Sequence, residues 1–472
     1  MRNRYPGPRP FQTDESAIFF GRDDEIKRIT QQLRLSNLIV IHGRSGVGKT
    51  SLLNAGVIPT FLNQSAANGN PVPKVVQVRF GSWFPDSVSL EEMFKQFVER
   101  TPSLLDQLEY QDSVWSRLKS QQLNLPPQTE FLLVFDQFEE IATYPDQDFE
   151  YLTQVLTRLT YPKVPVEIQE AIRQQQQIDP DQFTPARLRQ FLNPLQMRIV
   201  LIIRSDRLGI LDRFRPSIAR ILQYSTEVQP LTKSQAKDAL LAPAAEQGGF
   251  YSTTFSFELE ALEKILAYVA HEETDSMTLQ LIASSVERAT TKIQSQSVSG
   301  EMVGNPEDLI ANILTNSLDG LDETESEAVK RAVVDSLIQR IGRGFMRLSM
   351  HEAQLVERFG IDKVTLDRMT RHGVLRAVPF IRGGVTYEIS SDRLVPVILL
   401  HWDAAQSSVS NEEILYEELE LARKKQQELH EQQYNTKEAI QDLTSKLRFS
   451  VRINFLLIIA ILILLWFLLQ RT

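Results

Sequence analysis

Four short apolar runs recur along the first half of the chain, and longer stretches with helical spacing separate them. The runs lie near residues 38–42, 75–80, 131–136 and 198–203. Uninterrupted apolar runs are typical of parallel strands that are covered on both faces, and the helices between them supply the cover. The pattern therefore predicts an α/β fold with a parallel sheet, preceded by a lead-in helix over residues 12–35.

Two further regions follow from breaks in this alternation. Residues 162–196 contain several prolines and four consecutive glutamines, and we predict an inserted helix or a mobile loop there. Residues 231–320 have helical apolar spacing and no predicted strand, and Thr232 with Gln235 has the spacing of a helix-capping box. We predict a first domain over residues 1–230 that includes the insertion, and a helical domain over 231–320.

Residues 321–402 are predicted to form a winged-helix domain. The predicted helices are Glu323–Ile341, His351–Phe359 and Val364–His372, and a hairpin of residues 375–378 and 385–389 follows them. Winged helices often place their third helix in the major groove of DNA. Basic residues near that helix fit this hypothesis: Lys363, Arg368, Arg371 and Arg376. The alternative is a module that acts inside the molecule, and the net charge of −9 favours it.

The last part of the chain changes composition twice. Residues 410–450 are rich in Glu, Gln and Lys and carry a heptad pattern with a polar centre, which predicts a coiled coil or a single solvated helix that acts as a spacer. Residues 453–469 are almost entirely apolar, and about 17 such residues is the lower limit for a transmembrane helix. The alternative for this run is a buried hairpin or the core helix of an oligomer.

Charges around the apolar run predict its orientation. Lys446, Arg448 and Arg452 precede it, whereas Arg471 alone follows it among basic residues. Positive residues concentrate on the cytoplasmic side of a membrane. We therefore predict a single-pass, tail-anchored membrane protein, in contact with lipid through the C-terminal helix, with residues 1–452 in the cytoplasm.

Composition limits the chemistry. The chain has no cysteine, which excludes disulfides and thiolate metal sites. Its six histidines are scattered without a paired metal-ligand spacing, which argues against zinc. The excess of 60 acidic over 51 basic residues argues against a broad nucleic-acid surface.

The strongest motif lies directly after the first predicted strand. Residues 43–50 match the phosphate-loop pattern G-x-x-x-x-G-K-[ST] at every fixed position, between a strand and a helix start. The nucleotide-binding residues predicted here are Gly43, Arg44, Ser45, Gly46, Val47, Gly48, Lys49, Thr50 and Ser51. Backbone N–H groups of such a loop contact phosphate oxygens. Lys49 would reach the β- and γ-phosphates, and Thr50 would bind Mg²⁺.

Acidic and basic residues follow the other strands at the same sheet edge. Asp136 ends the third strand and is predicted to bind Mg²⁺ together with Thr50. Glu139 or Glu140 is then positioned to orient or deprotonate the attacking water. Arg204 ends the fourth strand and would contact a γ-phosphate. The alternative for this arginine is a surface ion pair with Asp206.

These motifs together resemble the novel STAND-type NTPases, a signalling branch of the AAA-like P-loop ATPases. The resemblance runs from residue 5 to about residue 402. It rests on the opening at residues 5–11, on residues 19–26, on the phosphate loop and on residues 135–140. It implies that Gly21 and Arg22 lie near the adenine and ribose, that Asp136 binds magnesium, that Glu139 and Glu140 form the acidic pair, and that Arg204 is a sensor.

The same resemblance implies ATP and Mg²⁺ as cofactors and makes residues 231–320 a helical lid. Two features depart from the family. No proline occurs near residues 276–280, where one usually packs on the adenine, and Ser391-Asp392 stands where a histidine usually precedes an aspartate.

The sequence therefore predicts a membrane-anchored, STAND-like ATPase that acts as a slow nucleotide-dependent signalling switch or a self-assembling scaffold and forms homo-oligomers. Two alternatives remain open: a membrane-anchored winged-helix regulator that binds DNA, and a scaffold that binds nucleotide without hydrolysing it.

Overall fold

The structure, a computed structural model, describes nine stretches of the chain. They are residues 1–80, 89–108, 112–161, 163–181, 183–270, 276–341, 344–379, 385–391 and 394–402. Residues Met1–Trp402 form one compact unit. The predicted coiled coil at 410–450 and the predicted transmembrane helix at 453–469 lie outside the described residues. Among the helices that are described, none has both the length and the apolar content needed to cross a membrane.

A five-stranded parallel sheet organises the first half of the chain. Its strands are β1 (Leu38–Gly43), β2 (Lys74–Arg79), β3 (Phe131–Asp136), β4 (Met197–Arg204) and β5 (Ser225–Glu227), in the order β2-β3-β4-β1-β5. The four predicted strands are confirmed. Strand β5 was not predicted, because its three residues are polar or small and give no apolar run.

Both faces of the sheet are buried at its central strands β3, β4 and β1, which explains their uninterrupted apolar runs, whereas β2 and β5 at the edges are partly exposed. On one face Ile39, Val134 and Ile202 pack with residues of the helices that follow the phosphate loop. On the other face Leu133 and Leu201 belong to a larger aromatic-rich cluster. Alternate residues of one strand enter opposite clusters, as the two-residue period of a strand requires.

The helices around the sheet differ from the prediction in two places. They are α1 (Asp23–Leu35), α2 (Lys49–Ser51), α3 (Ile58–Ala67), α4 (Leu90–Phe97), α5 (Val114–Leu123), α6 (Asp146–Thr160), α7 (Val166–Ile178) and α8 (Pro185–Leu192), with a π-helical stretch Leu52–Val57 between α2 and α3. The predicted insertion contains two helices, α7 and α8.

The single lead-in helix predicted over residues 12–35 is wrong. A 3₁₀ helix, Thr13–Ile18, precedes α1, and the chain turns between them at Gly21, which has φ +82°. A Cβ atom at Gly21 would lie 2.4 Å from the carbonyl oxygen of Gln235. The chain breaks here because its backbone packs directly against the region that follows the sheet.

Residues 231–320, called the lid region below, are mainly helical. The helices are α9 (Lys233–Ala245), α10 (Leu259–Ala270), α11 (Ser276–Ile293), α12 (Gly300–Val303) and α13 (Pro306–Leu318). The capping box is confirmed, since Gln235 N donates to Thr232 Oγ1 at 3.2 Å and Thr232 N to Gln235 Oε1 at 2.9 Å. The predicted absence of strands is wrong, because β6 (Ser256–Phe257) and β7 (Ser297–Val298) pair in parallel. Two-residue strands carry no readable period.

Residues 321–402, called the C-terminal region below, contain helices and small antiparallel sheets. The elements are α14 (Glu323–Ser336), β8 (Ile338–Ile341), β9 (Gly344–Arg347), β10 (Ser349–His351), α15 (Glu352–Phe359), α16 (Lys363–His372), β11 (Leu375–Pro379), β12 (Val385–Ile389) and α17 (Leu394–Trp402). The predicted pairing of the two hairpin strands is confirmed, and β10 joins them to give the order β10-β12-β11. The helix predicted to reach Ile341 ends at Ser336, because residues 338–341 pair with β9 instead.

Candidate functional site

The phosphate loop connects β1 to α2 at the carboxyl edge of the sheet. Gly46 and Gly48 have φ angles of +78° and +94°, which residues with side chains rarely adopt. Arg44, Ser45 and Gly46 are exposed, whereas Val47 is buried beneath the loop. The tip of the loop is thus exposed, and Val47 joins the loop to the hydrophobic core.

The side chain of Lys49 folds back onto the start of this loop. Its Nζ donates to the carbonyl oxygens of Gly43 at 2.9 Å and Arg44 at 2.8 Å. Burial lowers the pKa of the Lys49 ammonium, and the carboxylates of Glu139 and Asp136 oppose that shift. An anion at the loop would restore a partner for this partly desolvated charge.

Thr50 and Asp136 meet as the sequence predicts. The Thr50 hydroxyl lies 3.1 Å from each carboxylate oxygen of Asp136, which is 8% exposed. Mg²⁺ in nucleotide sites is held by one or two protein oxygens together with waters and phosphates. A hydroxyl and a carboxylate in contact beside a phosphate loop fit that donor set. Among the described residues, no group of three or more His, Asp or Glu side chains is arranged for a metal held by protein alone.

Two residues next to Asp136 were missed by the sequence analysis. Gln137 has φ +56°, an uncommon backbone conformation for a residue with a side chain, and its N–H donates to Asp136 Oδ1 at 3.0 Å. Arg79 is the register partner of Asp136 on β2 and donates through Nε to Gln137 Oε1 at 2.8 Å. The signal for Arg79 was its place at the end of a predicted strand, because the ends of parallel strands share one edge.

Glu139 and Glu140 lie in a 3₁₀ helix, Phe138–Thr143, that begins just after β3. Glu139 Oε2 accepts a hydrogen bond from the Arg204 N–H at 3.2 Å, so this carboxylate points toward β4. Burial raises the pKa of Glu139, while backbone N–H groups and Lys49 oppose the shift. A raised pKa suits a carboxylate that must exchange a proton near neutrality. Glu140 is half-buried on the same turn.

Arg204 forms the ion pair that the alternative hypothesis describes. Its Nε and Nη2 donate to the two carboxylate oxygens of Asp206, each at 3.0 Å, and its side chain is 43% exposed. This pairing is the main reason why the pKa of Asp206 is lowered. The sensor role of Arg204 stays a prediction, and it requires the guanidinium to leave Asp206.

Arg22 supports the phosphate loop through a hydrogen bond to the backbone of the loop. Its guanidinium is 4% exposed and donates to the carbonyl oxygens of Val47 at 3.0 Å and Gln229 at 2.8 Å. It also forms a 2.7 Å ion pair with Glu25. Glu25 in turn faces Gln235 of the lid region, whose Nε2 lies 3.4 Å from Glu25 Oε2. The guanidinium is therefore occupied by protein groups, and the predicted proximity to adenine and ribose stays a prediction.

Ser276 stands where the family resemblance expects a proline. It begins α11, and its hydroxyl donates to the carbonyl oxygen of Val47 at 3.2 Å. The lid region therefore reaches the same loop carbonyl that Arg22 binds. At the second departure, Ser391 is 5% exposed, and Asp392 lies outside the described residues.

A parallel sheet with a glycine phosphate loop, its lysine, and a threonine–aspartate pair at the carboxyl edge defines a P-loop NTPase. The family model for novel STAND NTPase 1 matches residues 5–378, which is most of the chain. The chain therefore belongs to the novel STAND NTPase 1 family.

The chain is also similar, at low sequence identity, to several solved structures. The Aeropyrum pernix ORC1 protein, solved in complex with DNA, is 15% identical, with 83% of this chain and 96% of that chain covered and a TM-score of 0.41. The A. pernix ORC2 protein, solved as ADPNP–ADP complexes, is 15% identical, with 82% and 95% covered and a TM-score of 0.43. Cdc6p from Pyrobaculum aerophilum is 14% identical, with 80% and 93% covered and a TM-score of 0.37. Among curated proteins, none matches this sequence.

Proposed function

We propose that this protein binds ATP with Mg²⁺ in its phosphate loop and that the bound nucleotide controls how the lid region and the C-terminal region pack on the sheet. The observation that carries this proposal is the contact of Thr50 with Asp136, 3.1 Å from the hydroxyl to each carboxylate oxygen. Bound there, Mg²⁺ would neutralise phosphate charge. Lys49, now held by two loop carbonyls, would transfer its hydrogen bonds to phosphate oxygens.

We assign ATP hydrolysis to the acidic pair, Glu139 and Glu140. Glu139 would accept a proton from a water whose oxygen forms a bond with the γ-phosphorus, while the bridging bond to the β-phosphate oxygen breaks and ADP leaves. Turnover should be slow, because Arg204 is bound to Asp206 and must exchange that partner to reach the γ-phosphate. A scaffold that binds nucleotide without hydrolysis differs only in this step.

We also propose that the C-terminal region is a winged-helix domain that acts inside the molecule rather than on DNA. Two of the cations that favoured DNA binding already have partners within the protein. Arg376 forms an ion pair with Glu388 across the hairpin, and Arg368 donates to the carbonyl oxygen of Asp319. Cations with internal partners would have to give them up to bind phosphates.

Membrane anchoring through residues 453–469, a cytoplasmic location for residues 1–452, a signalling role and self-association complete the proposal. They rest on the sequence pattern and on the family resemblance. A tether to a membrane would raise the effective concentration of weakly associating copies.

The decisive experiment is calorimetric titration with MgATP and MgADP of the wild type, Lys49→Ala and the exposed control Lys237→Ala. We expect Lys49→Ala to weaken ATP binding at least about tenfold, or ~1.4 kcal/mol, and the control to leave it unchanged. Equal affinity in all three proteins would remove the site assignment.

Two further assays separate the alternatives. Phosphate release with and without Mg²⁺ distinguishes the slow ATPase from the scaffold. Duplex-DNA titration at physiological salt tests the DNA hypothesis, for which a dissociation constant far below the non-specific range of about 10⁻⁴–10⁻⁶ M would be required.

A further inference from the structure

The first eleven residues contact the lid region, the C-terminal region and the helix that follows the phosphate loop. Arg2 pairs through its backbone with Gly249 and Tyr251, both at 3.0 Å. Arg4 is 2% exposed, and its guanidinium donates to Ser252 Oγ at 3.0 Å and to the carbonyl oxygen of Pro243 at 2.9 Å. A buried guanidinium with this many acceptors is an anchor, because removing it would leave several polar groups unpaired.

Glu287, in the middle of α11, completes the anchor in the lid region. Its carboxylate is 3% exposed and accepts hydrogen bonds from the backbone N–H groups of Arg4 at 2.8 Å and Tyr5 at 3.1 Å. Tyr5 is fully buried in the core of the lid and C-terminal regions, and its hydroxyl donates to the carbonyl oxygen of Leu240. Charge and apolar burial thus fasten the same two residues to the lid region.

The chain then touches the C-terminal region. Gly373 ends α16 with φ +87°, and a Cβ atom there would lie 2.7 Å from Cγ of Pro8. The proline ring therefore lies directly on this backbone.

The other end of the segment is fixed beside the nucleotide site. The Phe11 N–H donates to Ser51 Oγ at 3.2 Å, and its carbonyl oxygen accepts from Asn54 Nδ2 at 3.2 Å. Its ring packs edge-on against Phe19, with centroids 5.1 Å apart, in a small cluster with Ala55. Ser51 follows Thr50, the residue that contacts Asp136, so this anchor lies one residue from the metal-binding pair.

The chain between the anchors is stiff. Residues 5–11 read Tyr-Pro-Gly-Pro-Arg-Pro-Phe, with a proline at every second position. Each ring fixes its own φ and limits the conformations open to the preceding residue. The chain turns at Gly7, which has φ +77° and is buried against Ser284. Proline-rich segments behave as semi-rigid spacers, so a displacement at one end is passed to the other instead of being absorbed.

We propose that residues 2–11 are a strap that couples the helix after the phosphate loop to the position of the lid and C-terminal regions, with Phe11 acting as the positioning residue at the nucleotide end. The proposal rests on nucleotide binding at the phosphate loop. Rearrangement of Thr50 and Ser51 around a bound nucleotide moves Phe11. The strap carries that movement to Arg4 and Tyr5, and through them to α11.

The test separates coupling from local stability. Inserting Gly-Ser-Gly-Ser between Pro8 and Arg9 keeps every anchor in the sequence and breaks only the stiff connection, at a point where Arg9 is exposed. The matched control carries the same insertion between Asn70 and Pro71, in the loop between α3 and β2. Both full-length proteins and the wild type are compared by hydrogen–deuterium exchange of residues 276–293, with and without MgATP.

We expect MgATP to change exchange in α11 of the wild type and the control, and that change to shrink at least threefold in the strap insertion while MgATP still binds. A second variant, Pro6→Gly with Pro10→Gly, keeps the length and removes stiffness, and should behave alike. If the insertion and the double variant both bind MgATP and respond as the wild type does, the coupling proposal is overturned alone. If the wild type binds no MgATP, the proposed function and the coupling fall together.

Discussion

The guanidinium of Arg22 and the carbonyl oxygen of Val47 are hydrogen-bonded at 3.0 Å, so a residue at the start of α1 holds the middle of the phosphate loop. Ser276 of the lid region donates to the same oxygen at 3.2 Å. Two residues outside the loop therefore support it: Arg22, at the start of α1, and Ser276, in the lid region. The shape of the loop, and with it the positions of its N–H groups, depends on both.

Arg22→Lys should weaken MgATP binding about tenfold, or ~1.4 kcal/mol. A lysine ammonium cannot reproduce the planar fork that reaches Val47, Gln229 and Glu25 together, so the loop carbonyl loses its donor. Calorimetry of Arg22→Lys beside the exposed control Arg28→Lys measures this. Wild-type affinity in Arg22→Lys, with an unchanged melting temperature, would mean that the loop keeps its shape without this support.

Glu139→Gln should keep ATP binding and reduce hydrolysis at least about a hundredfold, the lower end of what a positioned base contributes. The amide has nearly the same shape and still accepts the 3.2 Å hydrogen bond from the Arg204 N–H, but it cannot take a proton. Glu140→Gln on the same turn is the matched comparison. Loss of activity in Glu140→Gln alone would transfer the role to Glu140, and full activity in both would move the base elsewhere.

The raised pKa of Glu139 should determine how the rate of ATP hydrolysis falls at acidic pH. Burial raises the pKa of Glu139 above that of a free carboxyl group. A base works only when it is deprotonated, so the rate should fall as the pH decreases through this raised pKa. The single-turnover rate, measured across pH in the wild type, should show the fall, and the residual rate of Glu139→Gln should lack it.

The sequence specified the sheet and the phosphate site because each depends on local patterns. Apolar runs predicted β1 to β4, and their shared carboxyl edge predicted that Thr50 and Asp136 would meet. The remaining features depend on contacts between residues that are distant along the chain. Arg22 donates to Gln229, and Phe11 to Ser51, without any periodicity that would announce the partner. The sequence analysis noted only that no proline occurs near residues 276–280, and it did not predict the contact of Ser276 with the loop.

The two errors in the predicted helices have different physical origins. The helix predicted to reach Ile341 fails because pairing of residues 338–341 with β9 overrides the local helical pattern. The lead-in helix breaks at Gly21 because the backbone of α9 leaves no room for a side chain there. In the first case a short-range hairpin, with Ile341 paired to Gly344, replaces the last turn of the helix, and in the second a long-range contact with Gln235 breaks the helix.

The free energy of unfolding should depend on pH because of Lys119, a buried residue far from the nucleotide site. It is 1% exposed and donates to the carbonyl oxygen of Asn193 at 2.7 Å and to Gln122 Oε1 at 3.0 Å, and burial lowers its pKa to about 8. Between that value and its ordinary value of 10.5, the unfolded chain binds more protons than the folded protein. The free energy of unfolding therefore rises with pH across this window and is lowest below it.

Urea unfolding of the wild type and Lys119→Met at pH 7.5, 9 and 10.5 checks this. The difference in unfolding free energy between them should move in favour of the wild type as the pH rises, by up to about 3 kcal/mol. Lys95→Met, at an exposed position on α4, is the control. A difference that does not vary with pH would mean that the two acceptors stabilise the ammonium as well as water does.

The last prediction concerns the apolar run at residues 453–469, beyond the described residues. Deleting residues 451–472 should release the protein from membranes, keep MgATP binding and weaken self-association, because the tether that concentrates the copies is lost. A variant of full length, Ile461→Arg with Leu465→Arg, tests the apolar character itself, since each arginine at the centre of a span costs roughly 2.5–3.5 kcal/mol on insertion scales. Cell fractionation and light scattering measure both effects. If the truncated protein still sediments with membranes, the anchor lies elsewhere in the chain, and if its oligomeric state is unchanged, the NTPase assembles without help from the tail.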